Sequence, residues 1–74
     1  MTPKFKIGEL AIEAKGPYLH PEYAEKPSLI VGFEEIPADL FLRLEGYLAY
    51  RVLNNEEILV LEAETFDKYC KALK

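Results

Sequence analysis

The chain has 74 residues, half of them apolar or aromatic and 30% charged, with a net charge of −4. That length allows one domain, residues 1–74, near the lower limit for a core without staples, and the composition excludes a disordered tail. The acidic balance argues against nucleic-acid binding, which usually needs a basic face, and a lone cysteine, Cys70, excludes an internal disulfide.

No apolar run reaches the length of a membrane span, and the Met1-Thr2-Pro3-Lys4 start lacks the apolar stretch of a signal peptide. A cytoplasmic protein is expected.

Residues 5–14 read FKIGELAIEA. Phe5 and Ile7 share one parity, and Leu10, Ile12 and Ala14 the other. This predicts a strand with a glycine bulge near Gly8-Glu9. Residues 15–27 contain Gly16, Pro17, Pro21 and Pro27, which forbid a continuous strand or helix. A loop of thirteen residues carrying Tyr18, Leu19, His20 and Tyr23 is long enough to be functional.

Residues 28–36, SLIVGFEEI, predict a strand with Leu29, Val31 and Phe33 facing inward, ended by Pro37. Residues 38–46 fit either a strand or a short helix capped by Gly46. Tyr47 to Leu53, an Asn54-Asn55 turn and Ile58 to Leu61 predict a hairpin. Phe66, Tyr69, Cys70 and Leu73 fall on one helical stripe, so a C-terminal helix is expected over about 63–73. The expected core is Phe5, Ile7, Leu10, Ile12, Leu29, Val31, Phe33, Leu48, Tyr50, Val52, Leu59, Leu61, Phe66, Cys70 and Leu73.

The order of strand, long loop, strand, hairpin and terminal helix resembles an SH3-like small β-barrel. The Phe5-Lys6-Ile7-Gly8-Glu9-Leu10 entry looks like that of such barrels, including KOW-type domains. The Gly46–Leu53 stretch with Asn54-Asn55-Glu56-Glu57 resembles the central hairpin of small SH3-like proteins of tailed phages. The resemblance implies a mainly β fold, a partly open barrel of about five strands with a short C-terminal α-helix, and a virus-encoded chain acting in the host cytoplasm. It does not imply proline-peptide binding, because the chain has no ALYDY-like stretch and no tryptophan.

Catalysis needs converging groups, and the sequence offers one His and one Cys. His20 reads as a loop residue and Cys70 as a buried, inert thiol. The pairs Glu34-Glu35 and Glu56-Glu57 are poor chelators, since strand neighbours point to opposite faces. No enzyme, cofactor or metal site is expected. Tyrosine suits interfaces. Tyr18, His20 and Tyr23 on the loop and Tyr47 and Arg51 on the outer face of the hairpin strand form the candidate contact surface. Another protein is the expected partner, with no membrane role. The alternatives are a KOW-type nucleic-acid or ribonucleoprotein accessory, or a structural component such as a homo-oligomer, for which the apolar Leu40-Phe41-Leu42 segment would be a contact.

Overall fold

The computed structural model describes residues 2–38 and 45–73. The segment Leu40-Phe41-Leu42, and with it the choice of strand or helix for 38–46, lies outside the described residues.

The chain is mainly β. Five strands, β1 (Leu10–Glu13), β2 (Ser28–Ile36), β3 (Tyr47–Asn54), β4 (Glu57–Glu62) and β5 (Cys70–Ala72), form one antiparallel sheet in the order β4-β3-β2-β1-β5. The sheet is not closed. Two helical segments accompany it: α1 (Pro21–Ala24), a single turn in the long loop, and α2 (Ala63–Tyr69) between β4 and β5.

The core lies between the inner face of the sheet, α2 and the N-terminal segment. Phe5, Tyr50 and Phe66 meet edge to face, with centroid separations of 5.9, 5.5 and 5.1 Å. Each is almost wholly buried, with Ala11, Ile30, Val52, Ala63 and Cys70 around them. Such aromatic pairs add about 0.5–1.5 kcal/mol each beyond area burial. The Tyr50 hydroxyl donates to Asp67 Oδ1 at 2.6 Å and accepts the Phe5 N–H at 3.1 Å. Lys4 N–H donates to Asp67 Oδ2, and Lys4 Nζ donates to the Cys70 carbonyl. The first residues are thereby clipped across α2 and β3.

The entry differs from the expected bulged strand. Lys6 to Glu9 make a turn, with Glu9 N–H donating to the Lys6 carbonyl and Gly8 at φ 96°. That conformation suits glycine. The turn points Ile7 outward, 62% exposed, and regular pairing starts at Leu10, itself exposed. In β2 the expected inward set is also corrected. Ser28 and Ile30 are the buried pair, and Val31 is exposed. The β2–β3 register shifts between Ile30 and Gly32. A bulge there reverses parity, so Phe33 comes back to the Tyr50 side with its ring 5.7 Å away, though it stays partly exposed at the rim.

The C-terminal helix is shorter than expected. It stops at Tyr69, and Cys70 is extended at φ −115°, ψ 154°. The free edge of β1 explains this: Ala14 and Lys15 N–H both donate to the Tyr69 carbonyl, and Leu73 N–H donates to the Leu10 carbonyl. Pairing satisfies edge groups that a continuing helix would leave open. Cys70 remains in the core, whereas Leu73 is exposed.

The β3–β4 turn sits one residue later than expected. Asn55 and Glu56 both have positive φ, 52° and 63°, as a two-residue type I′ turn requires. Asn54 is instead buried at the end of β3.

Two substitutions test these assignments by denaturant titration. Tyr50→Phe keeps the ring and removes the hydroxyl, leaving Asp67 and the Phe5 N–H without it, so a loss of about 1–3 kcal/mol is expected. Glu56→Gly relieves a side chain held at positive φ and should stabilise the chain by roughly 0.5 kcal/mol after glycine's entropic cost.

Candidate functional site

Alternation along β3 separates two faces. Leu48, Tyr50, Val52 and Asn54 point to the core, while Tyr47, Ala49, Arg51 and Leu53 point away from it. The pairing extends the outer face into rows. Leu29 lies beside Leu53 and Leu53 beside Ile58; Gly32 lies beside Arg51 and Arg51 beside Val60; Glu34 lies beside Ala49 and Ala49 beside Glu62. Leu53, Ile58 and Val60 are 39, 50 and 48% exposed, so an apolar patch remains open to solvent. The β2 bulge places Gly32 beside Arg51, where a Cβ would only touch the Arg51 stem at 3.9 Å. Arg51 Nε is 3.9 Å from Glu34 Oε1. Such a loose, exposed ion pair adds little stability.

At the end of the sheet away from the hairpin, Glu35, Glu45, Glu62 and Glu64 line an open cleft of about 650 Å³ together with Tyr47 and Leu48. Gly46 is required there by close approach: a side chain would come within 2.8 Å of the Ile36 carbonyl oxygen. Among the described residues no three His, Cys, Asp or Glu side chains converge as metal ligands.

The candidate contact residues are distributed over three places. Tyr18 stacks on Tyr69, with centroids 5.0 Å apart and planes 14° apart, and packs against the core. Burial, aided by Cys70, Glu62 and Glu13, pushes its hydroxyl up to about 12. Tyr23 lies at the hairpin end, its hydroxyl donating to Glu57 Oε2 at 2.9 Å, a bond that pushes its pKa up. His20 is exposed at the start of α1, with Nδ1 3.1 Å from Glu22 Oε1. Tyr47 and Arg51 share the outer face of β3. They lie four positions apart, roughly 13 Å along a strand. The loop residues do not join that face, because Tyr23 meets Glu57 on the core-facing parity of β4.

Ile58 and Val60 fall outside the contact surface expected from the sequence. The signal was present: in ILVL both parities are apolar, and only Leu59 and Leu61 are used by the core.

No protein-family model matches the chain, and no curated protein or solved structure matches it significantly. Among the described residues no helix is long and apolar enough to cross a membrane.

Cys70 is 3% exposed. Burial, reinforced by Glu13, raises its pKa from 9.0 to about 11. The thiolate is then only about one part in ten thousand at pH 7, a poor nucleophile. The sign of the linkage follows: the folded thiol holds its proton more tightly than the unfolded one, so this contribution is complete below pH 9.0 and is lost as pH rises through about 11. Denaturation midpoints measured against pH should begin to fall above 9.0. In Cys70→Ala the onset should move up to about 10, where Tyr18 takes over.

Proposed function

We propose that the chain is a non-catalytic protein-interaction module that uses the outer face of β2, β3 and β4. The observation that carries this reading is the exposure of Leu53, Ile58 and Val60 in adjacent rows beside Arg51. A chain this small has few apolar residues to spare, and open patches of this kind mark contact sites. An apolar patch with one cation at its centre fits a protein surface better than phosphates, which would meet Glu34 and Glu62 beside Arg51. The strand order, with α2 between β4 and β5, supports an SH3-like, partly open barrel as the architecture.

The test is quantitative affinity capture from the native host lysate, with and without nuclease. Wild type is compared with Leu53→Glu, Arg51→Glu and the loop variant His20→Ala, each checked for folding by circular dichroism. A stoichiometric protein partner that is lost with Leu53→Glu and Arg51→Glu but kept with His20→Ala is the expected result. A partner retained equally by all variants, or recovery only of nuclease-sensitive material, would overturn it.

A further inference from the structure

The strand β4 lies at the edge of the sheet and, among the described residues, pairs only with β3. Its sequence, EILVLE, is apolar along the whole centre and carries no proline or lysine of the kind that blunts an edge. The hairpin geometry fixes which backbone groups look outward. A two-residue loop over Asn55 and Glu56 makes Asn54 and Glu57 a hydrogen-bonded pair. The alternation then makes the Leu53–Ile58 and Arg51–Val60 pairs non-hydrogen-bonded. The N–H and C=O groups of Ile58 and Val60 are therefore directed to the open edge.

Charge decides what can pair there. A second copy adding symmetrically, in the register that sets Val60 opposite Val60, would put Ile58 of one chain opposite Glu62 of the other and bring no cation to the acidic end. The net charge of −4 on each chain adds to that. The end of β4 opens on the cleft carrying Glu45, Glu62 and Glu64. An extended segment running antiparallel to β4 would bring its N-terminal residues to that cleft, where lysine or arginine would find opposite charge.

From this geometry we infer that β4 receives an extended segment of a partner protein as a sixth strand, with Lys or Arg at the segment's N-terminal end and alternating apolar residues behind them. The inference rests on the interaction-module reading and specifies the partner's chemistry. Main-chain bonds to Ile58 and Val60 supply affinity. Apolar side chains on one parity lie against Ile58 and Val60, and the acids of the cleft set direction and register.

The probe is a synthetic labelled peptide, Lys-Arg followed by alternating Val and Thr, with a counterpart in which Glu-Glu replaces Lys-Arg. The basic peptide should bind at least about tenfold tighter, a difference of about 1.4 kcal/mol. On binding, amide hydrogen exchange at Ile58 and Val60 should slow, whereas Leu59 and Leu61, already bonded to β3, should change little. Val60→Pro removes one outward donor and spares the β3–β4 ladder, so it should weaken binding about tenfold. Lack of binding at millimolar peptide, equal binding of the two peptides, or binding that leaves exchange at Ile58 and Val60 unchanged would overturn the inference. The module reading fails separately: capture that depends on Leu53 and Arg51 stands even when the edge stays unprotected.

Discussion

The Tyr50 hydroxyl is the point on which three parts of the chain depend. Tyr50 belongs to the central strand, Asp67 to α2 and Phe5 to the N-terminal segment, and the hydroxyl bonds to both of the latter. A buried phenol without partners would cost a few kcal/mol, so the hydroxyl specifies where α2 and residues 4–6 must sit. Burial and the Asp67 bond both push the Tyr50 pKa upward, as expected for a phenol kept neutral in the core. The rings of Phe5 and Phe66 then close around it. In a chain with so little interior, this one satisfied polar group gives the aromatic core a unique arrangement where apolar packing alone would leave alternatives.

A second polar anchor organises the opposite end. Asn54, 1% exposed, donates from Nδ2 to the carbonyls of Tyr23 and Lys26 and to Ser28 Oγ. The long loop has no sheet pairing of its own. These bonds, with Tyr23 on Glu57 and Lys26 on Asn55, hold α1 against the hairpin. The same residue explains why the turn falls on Asn55-Glu56 and not on Asn54-Asn55: Asn54 is needed as an internal tie. The loop aromatics are spent on the fold in the same way. Tyr18 covers the core by stacking on Tyr69, and Tyr23 is fixed at both its hydroxyl and its carbonyl.

This accounts for what the sequence could and could not disclose. The hairpin, the mainly β class and the separation of Tyr50 from Tyr47 and Arg51 were legible, because alternation is a local property and β3 obeys it throughout. Phe5, Val52, Phe66 and Cys70 were likewise legible as core. The face of β2 was not, because a bulge beside Gly32 reverses parity without a distinctive residue signal. The end of α2 was hidden for another reason. Phe66, Tyr69 and Cys70 have helical spacing, yet the open edge of β1, far away in sequence, draws Cys70–Ala72 into a strand. For the candidate surface, Tyr47 and Arg51 could be placed on an outer face from parity alone. The loop tyrosines could not be separated from it, since their distance from that face depends on tertiary ties through Asn54 and Glu57.

The division of labour between the two sheet faces follows from size. With 74 residues and α2 covering one side, the inner face is closed over and much of the outer face is not. The outer face must then either be polar or be covered by something else. Near the cleft it is covered, with Ala49 fully buried between Glu34 and Glu62. Near the hairpin it is apolar, with Leu29, Leu53 and Ile58 in one row. The free edges differ in the same sense. The β5 edge is three residues long with Lys71 at its centre, short and charged as protected edges are. The β4 edge is twice as long and apolar, with acids confined to its ends. A chain under selection only to remain apart from its copies would charge the middle of that strand. Charging only the ends leaves the centre adhesive, and an adhesive centre beside an acidic end is the combination that the proposed basic strand requires.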